Sequence, residues 1–172
     1  AVLGALIRLL QRNGNTVHFD MSSMTDAIAM NLRQNGFLNT LRLGGPRWDG
    51  NSIPYREDTS FLPNSYTEYL SRHWLGRDWV NISDRLKEFI ISPVIEAYIN
   101  VFDHAESDVG VVTCGQHYPN LRQLKIVLVD LGVGIPYRVR TYLQSPGMSA
   151  NDALEWAFEP NASTKDCGAI AR

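Results

Sequence analysis

Residues 126–136 read IVLVDLGVGIP, an apolar stretch that ends in an acid and then passes through two glycines. The stretch predicts an apolar β-strand that ends at Asp130. Gly132 and Gly134 permit a turn or a close backbone approach that a side chain would block. The third glycine of a dinucleotide-binding fingerprint is missing, and Pro136 stands where we would expect the start of a phosphate-binding helix. Because the sequence contains no GxxxxGK[ST] motif, a P-loop is excluded.

A second informative stretch, residues 94–105, reads VIEAYINVFDHA. Pro93 predicts a break, so that one helix ends before it and a new helix begins with it. Glu96, Asn100 and Asp103 are spaced by four and three residues, which puts them on one face of an otherwise apolar helix. A polar row of this kind either faces solvent or binds a partner or a ligand, and the helix alone leaves both alternatives open.

Together, the two stretches resemble motifs of the histidine-kinase-like ATPases, the GHKL superfamily, which includes DNA gyrase, certain heat-shock chaperones, sensor histidine kinases and mismatch-repair ATPases. Residues 96–105 resemble its N-box, and residues 130–135 resemble its first glycine box. Ala162-Ser163-Thr164-Lys165 resembles the start of its nucleotide lid. The resemblance extends over about residues 83–172. It implies an α/β (α+β) fold, a two-layer sandwich of helices on a mixed, mostly antiparallel sheet, with ATP and Mg²⁺ as cofactors.

The resemblance also implies a role for each residue that matches a motif. Asn100 would supply its amide oxygen to Mg²⁺, with phosphate oxygens and water as the other ligands. Asp130 would accept a hydrogen bond from the adenine amino group, and the same carboxylate would face the carbonyl oxygen of guanine, which disfavours GTP. Gly132, Gly134 and the adjoining Ile135 would lie close to the base and the sugar.

Four more residues are implied to act at the terminal phosphates, three by contact and one as a base. Lys165, with Ser163 or Thr164, would contact the terminal phosphates. In the hydrolysing branches of the superfamily, Glu96 would activate a water molecule as general base. In the kinase branches, the matching glutamate would instead help to remove the proton of the acceptor side chain.

Two residues leave the branch of the superfamily open, and one motif of the superfamily is missing. Asp103 resembles the gyrase-type position and His104 the kinase-type pattern; His104 is either a phosphate contact or a structural histidine. The second glycine box is missing, since residues 168–172 stand where it would begin, and we therefore expect the ATP-binding domain to be incomplete at its C-terminal end. No histidine lies in a His-Glu helix of the type that accepts phosphate in sensor kinases.

The chain divides into three predicted parts. Residues 1–43 alternate helical and extended patterns, with a short strand over residues 16–20, and form a small α/β unit that resembles the STAS-like regulatory modules. Residues 44–65 are rich in glycine and proline and predict an irregular connection that holds the domain boundary. Residues 66–172 form the ATP-binding domain. Its first helix carries a predicted buried stripe that consists of Tyr66, Tyr69, Leu70, Trp74 and Leu75.

The composition excludes several classes of protein. The 172 residues are 44% apolar and 20% charged, which is typical of a globular protein and excludes disorder throughout. The net charge of −2 provides no overall attraction to nucleic acid, and no apolar stretch reaches the roughly 18 residues that a membrane span needs. The two cysteines are far apart and lack a CxxC motif, which predicts a reducing, cytoplasmic location.

These observations predict a Mg·ATP-binding domain of a signalling or regulatory kinase-like ATPase. It would act with a protein partner or phosphate acceptor. Whether it forms a homodimer stays open. Two alternatives compete with this interpretation: an ATP-hydrolysing switch of the gyrase or chaperone type, and a non-catalytic protein-interaction module with a vestigial pocket.

Overall fold

The computed structural model describes residues 1–45, 47–48 and 50–164. The strands are β1 (Ser52–Asp58), β2 (Val111–Tyr118) and β3 (Gln123–Asp130). The α-helices are α1 (Val2–Arg12), α2 (Asp26–Gln34), α3 (Phe37–Thr40), α4 (Pro63–Tyr69), α5 (Asp84–Asn100), α6 (Ile135–Tyr142) and α7 (Ala150–Ala157). Two π-helical segments, Leu70–Trp74 and Val101–Ala105, directly continue α4 and α5, and two 3₁₀ turns occupy Met21–Ser23 and Pro119–Leu121. The predicted α+β class, with helices packed on a sheet, is confirmed.

The sheet consists of three strands in the order β1–β2–β3, and both neighbouring pairs are antiparallel. β2 and β3 form a hairpin in which Val111 pairs with Asp130 and Tyr118 pairs with Gln123. The described strands therefore include no parallel pair of the kind that a mixed sheet requires. The hairpin register puts Asp130, the last residue of β3, at one end of the sheet beside the first residue of β2.

One face of the sheet is covered by α4, its π-helical continuation and α5. The predicted stripe on the first of these helices is confirmed, because all five of its side chains are buried: Tyr66, Tyr69, Leu70, Trp74 and Leu75. The ring of Tyr66 stacks on that of Tyr98 from α5 with centroids 4.0 Å apart. Burial of these large side chains is the main favourable contribution to the stability of this layer.

The N-terminal helices pack on the opposite face of the sheet. Ala5 of α1 is fully buried and contacts Val112 of β2, and Arg8 forms an ion pair with Glu57 of β1 at 2.9 Å. The strand predicted over residues 16–20 is wrong, because these residues form no strand and lead into a 3₁₀ turn. Since the STAS-like resemblance drew on that strand, the described residues give it no support.

The irregular connection predicted over residues 44–65 is wrong over residues 52–58, because these residues form β1. β1 pairs with β2, and the register shifts between Ile53 and Arg56 around Pro54. Proline is tolerated in such an edge strand beside an irregularity, because its missing N–H group then costs no hydrogen bond of the ladder. The sheet of the predicted ATP-binding domain therefore begins within the predicted connection.

The helix break predicted at Pro93 is also wrong. α5 continues through Pro93 from Asp84 to Asn100. Its first turn is capped by Ser83, whose Oγ accepts a hydrogen bond from the backbone N–H of Leu86 at 3.3 Å. The buried contacts of Ile91 and Tyr98, on either side of the proline, hold the helix together despite the local cost. No helix in the described part of the chain combines the length and apolarity that crossing a membrane requires.

The buried tyrosines of this core predict a loss of stability at alkaline pH. Burial raises the pKa of Tyr66 to about 12, and burial likewise raises the pKa of Tyr69 and Tyr98. In the unfolded chain these groups ionise near pH 10. Since the folded-state pKa values are the higher ones, the folded protein resists ionisation, and this contribution is fully present below about pH 10.

We expect the free energy of unfolding to fall as the pH rises from about 10 to about 12, by up to about 1.4 kcal/mol per pH unit for each tyrosine held neutral. Urea unfolding followed by circular dichroism at several pH values tests this expectation. A Tyr66→Phe variant should show a shallower decline, whereas the control Tyr137→Phe, at an exposed ring, should behave as wild type. An equal slope in the Tyr66→Phe variant and wild type would contradict the prediction.

Candidate functional site

A cavity of about 540 Å³ lies where α5, the end of β3, α6 and the residues after α7 meet. Its volume is within the range of small-molecule sites. The lining residues come from four separate parts of the chain: Ala97, Asn100, Val101, His104 and Ala105; Leu128 and Asp130; Gly134, Ile135, Arg138 and Val139; and Trp156, Ala157, Ala162, Ser163 and Thr164. Seven of the predicted site residues are among them: Asn100, His104, Asp130, Gly134, Ile135, Ser163 and Thr164.

The α5 side of the cavity presents one face of the helix and its π-helical continuation. Asn100 and His104 lie on this face between small and apolar residues. Glu96 and Asp103, which the spacing groups with Asn100, are exposed and do not line the cavity. At about 100° per residue, Asn100 stands at the border of the lining face, and its two partners fall on the solvent side. The shared face predicted from the spacing therefore exists, but only Asn100 reaches the cavity.

The turn after β3 orients an acid at the cavity wall. Asp130 is half-buried, and its Oδ1 accepts a hydrogen bond from the backbone N–H of Gly132 at 2.9 Å. Gly132 itself does not line the cavity. A Cβ atom at this position would overlap the carbonyl oxygen of Ala105. Glycine at this position therefore lets the turn after β3 lie close to the end of the π-helical segment. The Oδ2 atom of Asp130 accepts no hydrogen bond from the described residues.

Helix α6 begins immediately after the second glycine, which corrects the expectation that Pro136 excludes a helix. Gly134 is the N-cap with φ of +75° and ψ of 158°, a conformation that is essentially restricted to glycine. Pro136 lies in the first turn, where backbone N–H groups have no partner within the helix and a proline costs nothing. The helix carries Arg138 into the cavity, one turn beyond Gly134.

Hydrogen bonds and an ion pair join this turn and helix to the π-helical segment. The backbone N–H of Val133 donates to the carbonyl oxygen of Ala105 at 2.8 Å. Arg138 donates from Nε to the carbonyl oxygen of His104 at 2.6 Å, and its Nη1 lies 2.6 Å from Oε1 of Glu106. Two walls of the cavity, which are distant in sequence, are therefore held in a defined relative position.

The fourth side of the cavity is formed by α7 and the residues after it. Thr164 Oγ1 lies 3.3 Å from Nδ1 of His104, within hydrogen-bond distance, and Ser163 also lines the cavity. Trp156 and Ala157 add apolar surface to the lining, as Leu128 of β3 does. Lys165, the remaining predicted phosphate contact, lies outside the described residues.

The lining combines an acceptor carboxylate with apolar walls and a set of donors. A carboxylate set among apolar side chains suits a flat ring that carries an amino group. Amide, hydroxyl and guanidinium groups suit an anion and its metal ion. Arg138 was not predicted as a site residue, because Pro136 led us to expect no helix here and therefore no side chain one helical turn after Gly134.

Comparisons with protein-family models, with curated proteins and with solved structures returned no match to this chain.

Proposed function

We propose that the chain binds Mg·ATP in this cavity, as the nucleotide-binding domain of a histidine-kinase-like signalling ATPase. The observation that carries the proposal is that three motifs distant in sequence meet at one cavity. Residues from the N-box-like, glycine-box-like and lid-like motifs, up to about 60 positions apart, line one cavity. The three motifs are defined by sequence resemblance alone. That their residues line the same cavity is therefore an independent argument for a common ligand.

The adenine base is assigned to the side of the cavity that Asp130 and Leu128 form. The carboxylate is oriented by the N–H of Gly132, which leaves its second oxygen to accept a hydrogen bond from the adenine amino group. Guanine carries a carbonyl oxygen in that position, and two acceptors facing each other repel. Adenine should therefore bind more tightly than guanine.

The residues at the cavity fit a magnesium ion that arrives with the phosphates. Asn100 offers an amide oxygen, a suitable ligand for this ion. The described residues contain no group of three or more His, Cys, Asp and Glu side chains that could hold a metal ion. A single protein ligand is typical of an ion whose other ligands are phosphate oxygens and water. The ion supplies neutralisation of phosphate charge when bound, and Asn100 orients it.

Isothermal titration calorimetry of the chain with ATP, GTP and adenosine, with and without Mg²⁺, tests the proposal. We expect ATP to bind at least about 10-fold more tightly than GTP, a difference of about 1.4 kcal/mol. Mg²⁺ should strengthen the binding of ATP and leave that of adenosine unchanged, because adenosine has no phosphates to share the ion. A folded chain that binds neither ATP nor adenosine would contradict the proposal and favour the interaction module.

A further inference from the structure

Arg138 holds a guanidinium group at the cavity wall in a fixed position. Its side chain is 29% exposed, and it is anchored by the carbonyl oxygen of His104 and by Glu106. A guanidinium has five N–H donors, and Nη2 forms no hydrogen bond with any residue in the described part of the chain. The group is therefore oriented in advance while several of its donors remain available to a ligand.

Arg138 brings a positive charge to the lining of the cavity. Arg138 is the only lysine or arginine among the described residues that line it. Its anionic partner, Glu106, is 56% exposed and lies outside the lining, so that solvent screens this ion pair. The first turn of α6, whose backbone amides carry partial positive charge, faces the same cavity through Gly134 and Ile135. An anionic group in this part of the cavity would meet a preformed positive environment.

We propose that Arg138 binds the phosphate chain of the nucleotide. This inference rests on the proposed function and adds a residue to which none of the sequence motifs assigned a role. A planar guanidinium binds phosphate oxygens through two parallel hydrogen bonds, and here the two anchoring contacts of Arg138 have already restricted its rotamers. Arg138 would then contribute to ATP affinity and contribute nothing to the affinity for the base.

The test compares the affinities of ATP, ADP, AMP and adenosine for the wild type and for Arg138→Gln by calorimetry. We expect Arg138→Gln to weaken ATP binding by about 10- to 100-fold, the scale of a hydrogen bond to a charged group. Adenosine affinity should stay within about twofold of wild type on the same reasoning. The shortest nucleotide that shows the loss identifies which phosphate Arg138 contacts. Arg138→Lys, which keeps the charge without the planar fork, should show a smaller loss for ATP and none for adenosine.

Two further variants separate binding from a structural role. Arg140→Gln is the matched control, because Arg140 lies on the same helix, donates to the carbonyl oxygen of Met148 and does not line the cavity; it should bind ATP as wild type does. Glu106→Gln removes the competing charge but keeps a side-chain oxygen that can still accept a hydrogen bond from Nη1 of Arg138, so ATP affinity should stay unchanged or increase. A loss for Glu106→Gln equal to that for Arg138→Gln would overturn the inference, because the ion pair itself would then be what matters.

The outcomes also distinguish this inference from the function on which it rests. A wild-type chain that binds neither ATP nor adenosine contradicts the proposed function. A wild type that binds both, with an Arg138→Gln variant equal to it for ATP, overturns the role of Arg138 alone. Equal losses for ATP and adenosine in Arg138→Gln and Arg138→Lys overturn it too, since they would show that Arg138 only maintains the shape of the cavity.

Discussion

An Asp130→Asn variant is expected to bind ATP about 10- to 100-fold more weakly than the wild type. The substitution replaces the carboxylate oxygen that the proposed function pairs with the adenine amino group by an NH2 group, at an expected cost of about 1.5–3 kcal/mol for a hydrogen bond to a charged group. The asparagine keeps an oxygen that can accept the hydrogen bond from the N–H of Gly132, so the turn after β3 should be retained. Calorimetric titration with ATP measures the loss directly.

The ratio of ATP to GTP affinity makes this prediction specific to the base. An asparagine amide can donate to the carbonyl oxygen of guanine, so Asp130→Asn should discriminate less between ATP and GTP than the wild type does. Asp84→Asn is the control, because Asp84 lies at the start of α5, is exposed and does not line the cavity. Unchanged ATP affinity and an unchanged ratio in the Asp130→Asn variant would remove this carboxylate from the base site.

The parts of the fold that were predicted correctly are those that local patterns encode. The buried stripe of α4 and its continuation is periodic over one short segment, and β3 contains the apolar run of residues 126–129, so neither prediction needs information from elsewhere in the chain. β1 was missed because it lies among glycines and prolines and is stabilised by pairing with β2, which follows about 60 residues later. That pairing is a long-range contact that no local pattern reports.

Prolines account for two other errors. Pro93 predicts a break and Pro136 predicts the absence of a helix, yet both residues lie in helices. In α5, buried contacts on both sides of Pro93 outweigh the lost hydrogen bond. In α6, the proline occupies a first-turn position where no hydrogen bond is lost. The position of a proline relative to the helix start decides its effect, and the sequence alone did not reveal where α6 begins.

Seven of the predicted site residues line one cavity although secondary structure was predicted incorrectly around two prolines, because the motifs are matched by residue type and spacing. Asn100, Asp130 and Thr164 line the same cavity, as a shared ligand requires. Spacing did not reveal that Glu96 stands on the solvent side of this face. It also did not reveal that Gly132 is needed for contact with Ala105, since that contact joins two segments through their backbones.

A Glu96→Gln variant is expected to hydrolyse ATP about 10²- to 10⁴-fold more slowly than the wild type, the usual contribution of a general base. Glu96 lies one helical turn before Asn100 and is exposed. Glu96 does not line the cavity, so this role requires the terminal phosphate to extend past Asn100 to the solvent side of the helix, where Glu96 would act on a water molecule beside it. ATP affinity should therefore stay close to that of wild type. Release of labelled phosphate measures turnover, and calorimetry measures binding.

Glu88→Gln is the matched control, because Glu88 is an exposed glutamate two turns earlier on α5 and does not line the cavity. Its turnover should equal that of wild type, and equal turnover in the Glu96→Gln variant would contradict the role of Glu96 as base. The destination of the labelled phosphate then distinguishes the alternatives. Label on an added protein favours the kinase-like ATPase, and free phosphate favours the hydrolysing switch. A wild type that binds ATP but produces neither favours an interaction module, in which Glu96 has no proton to remove.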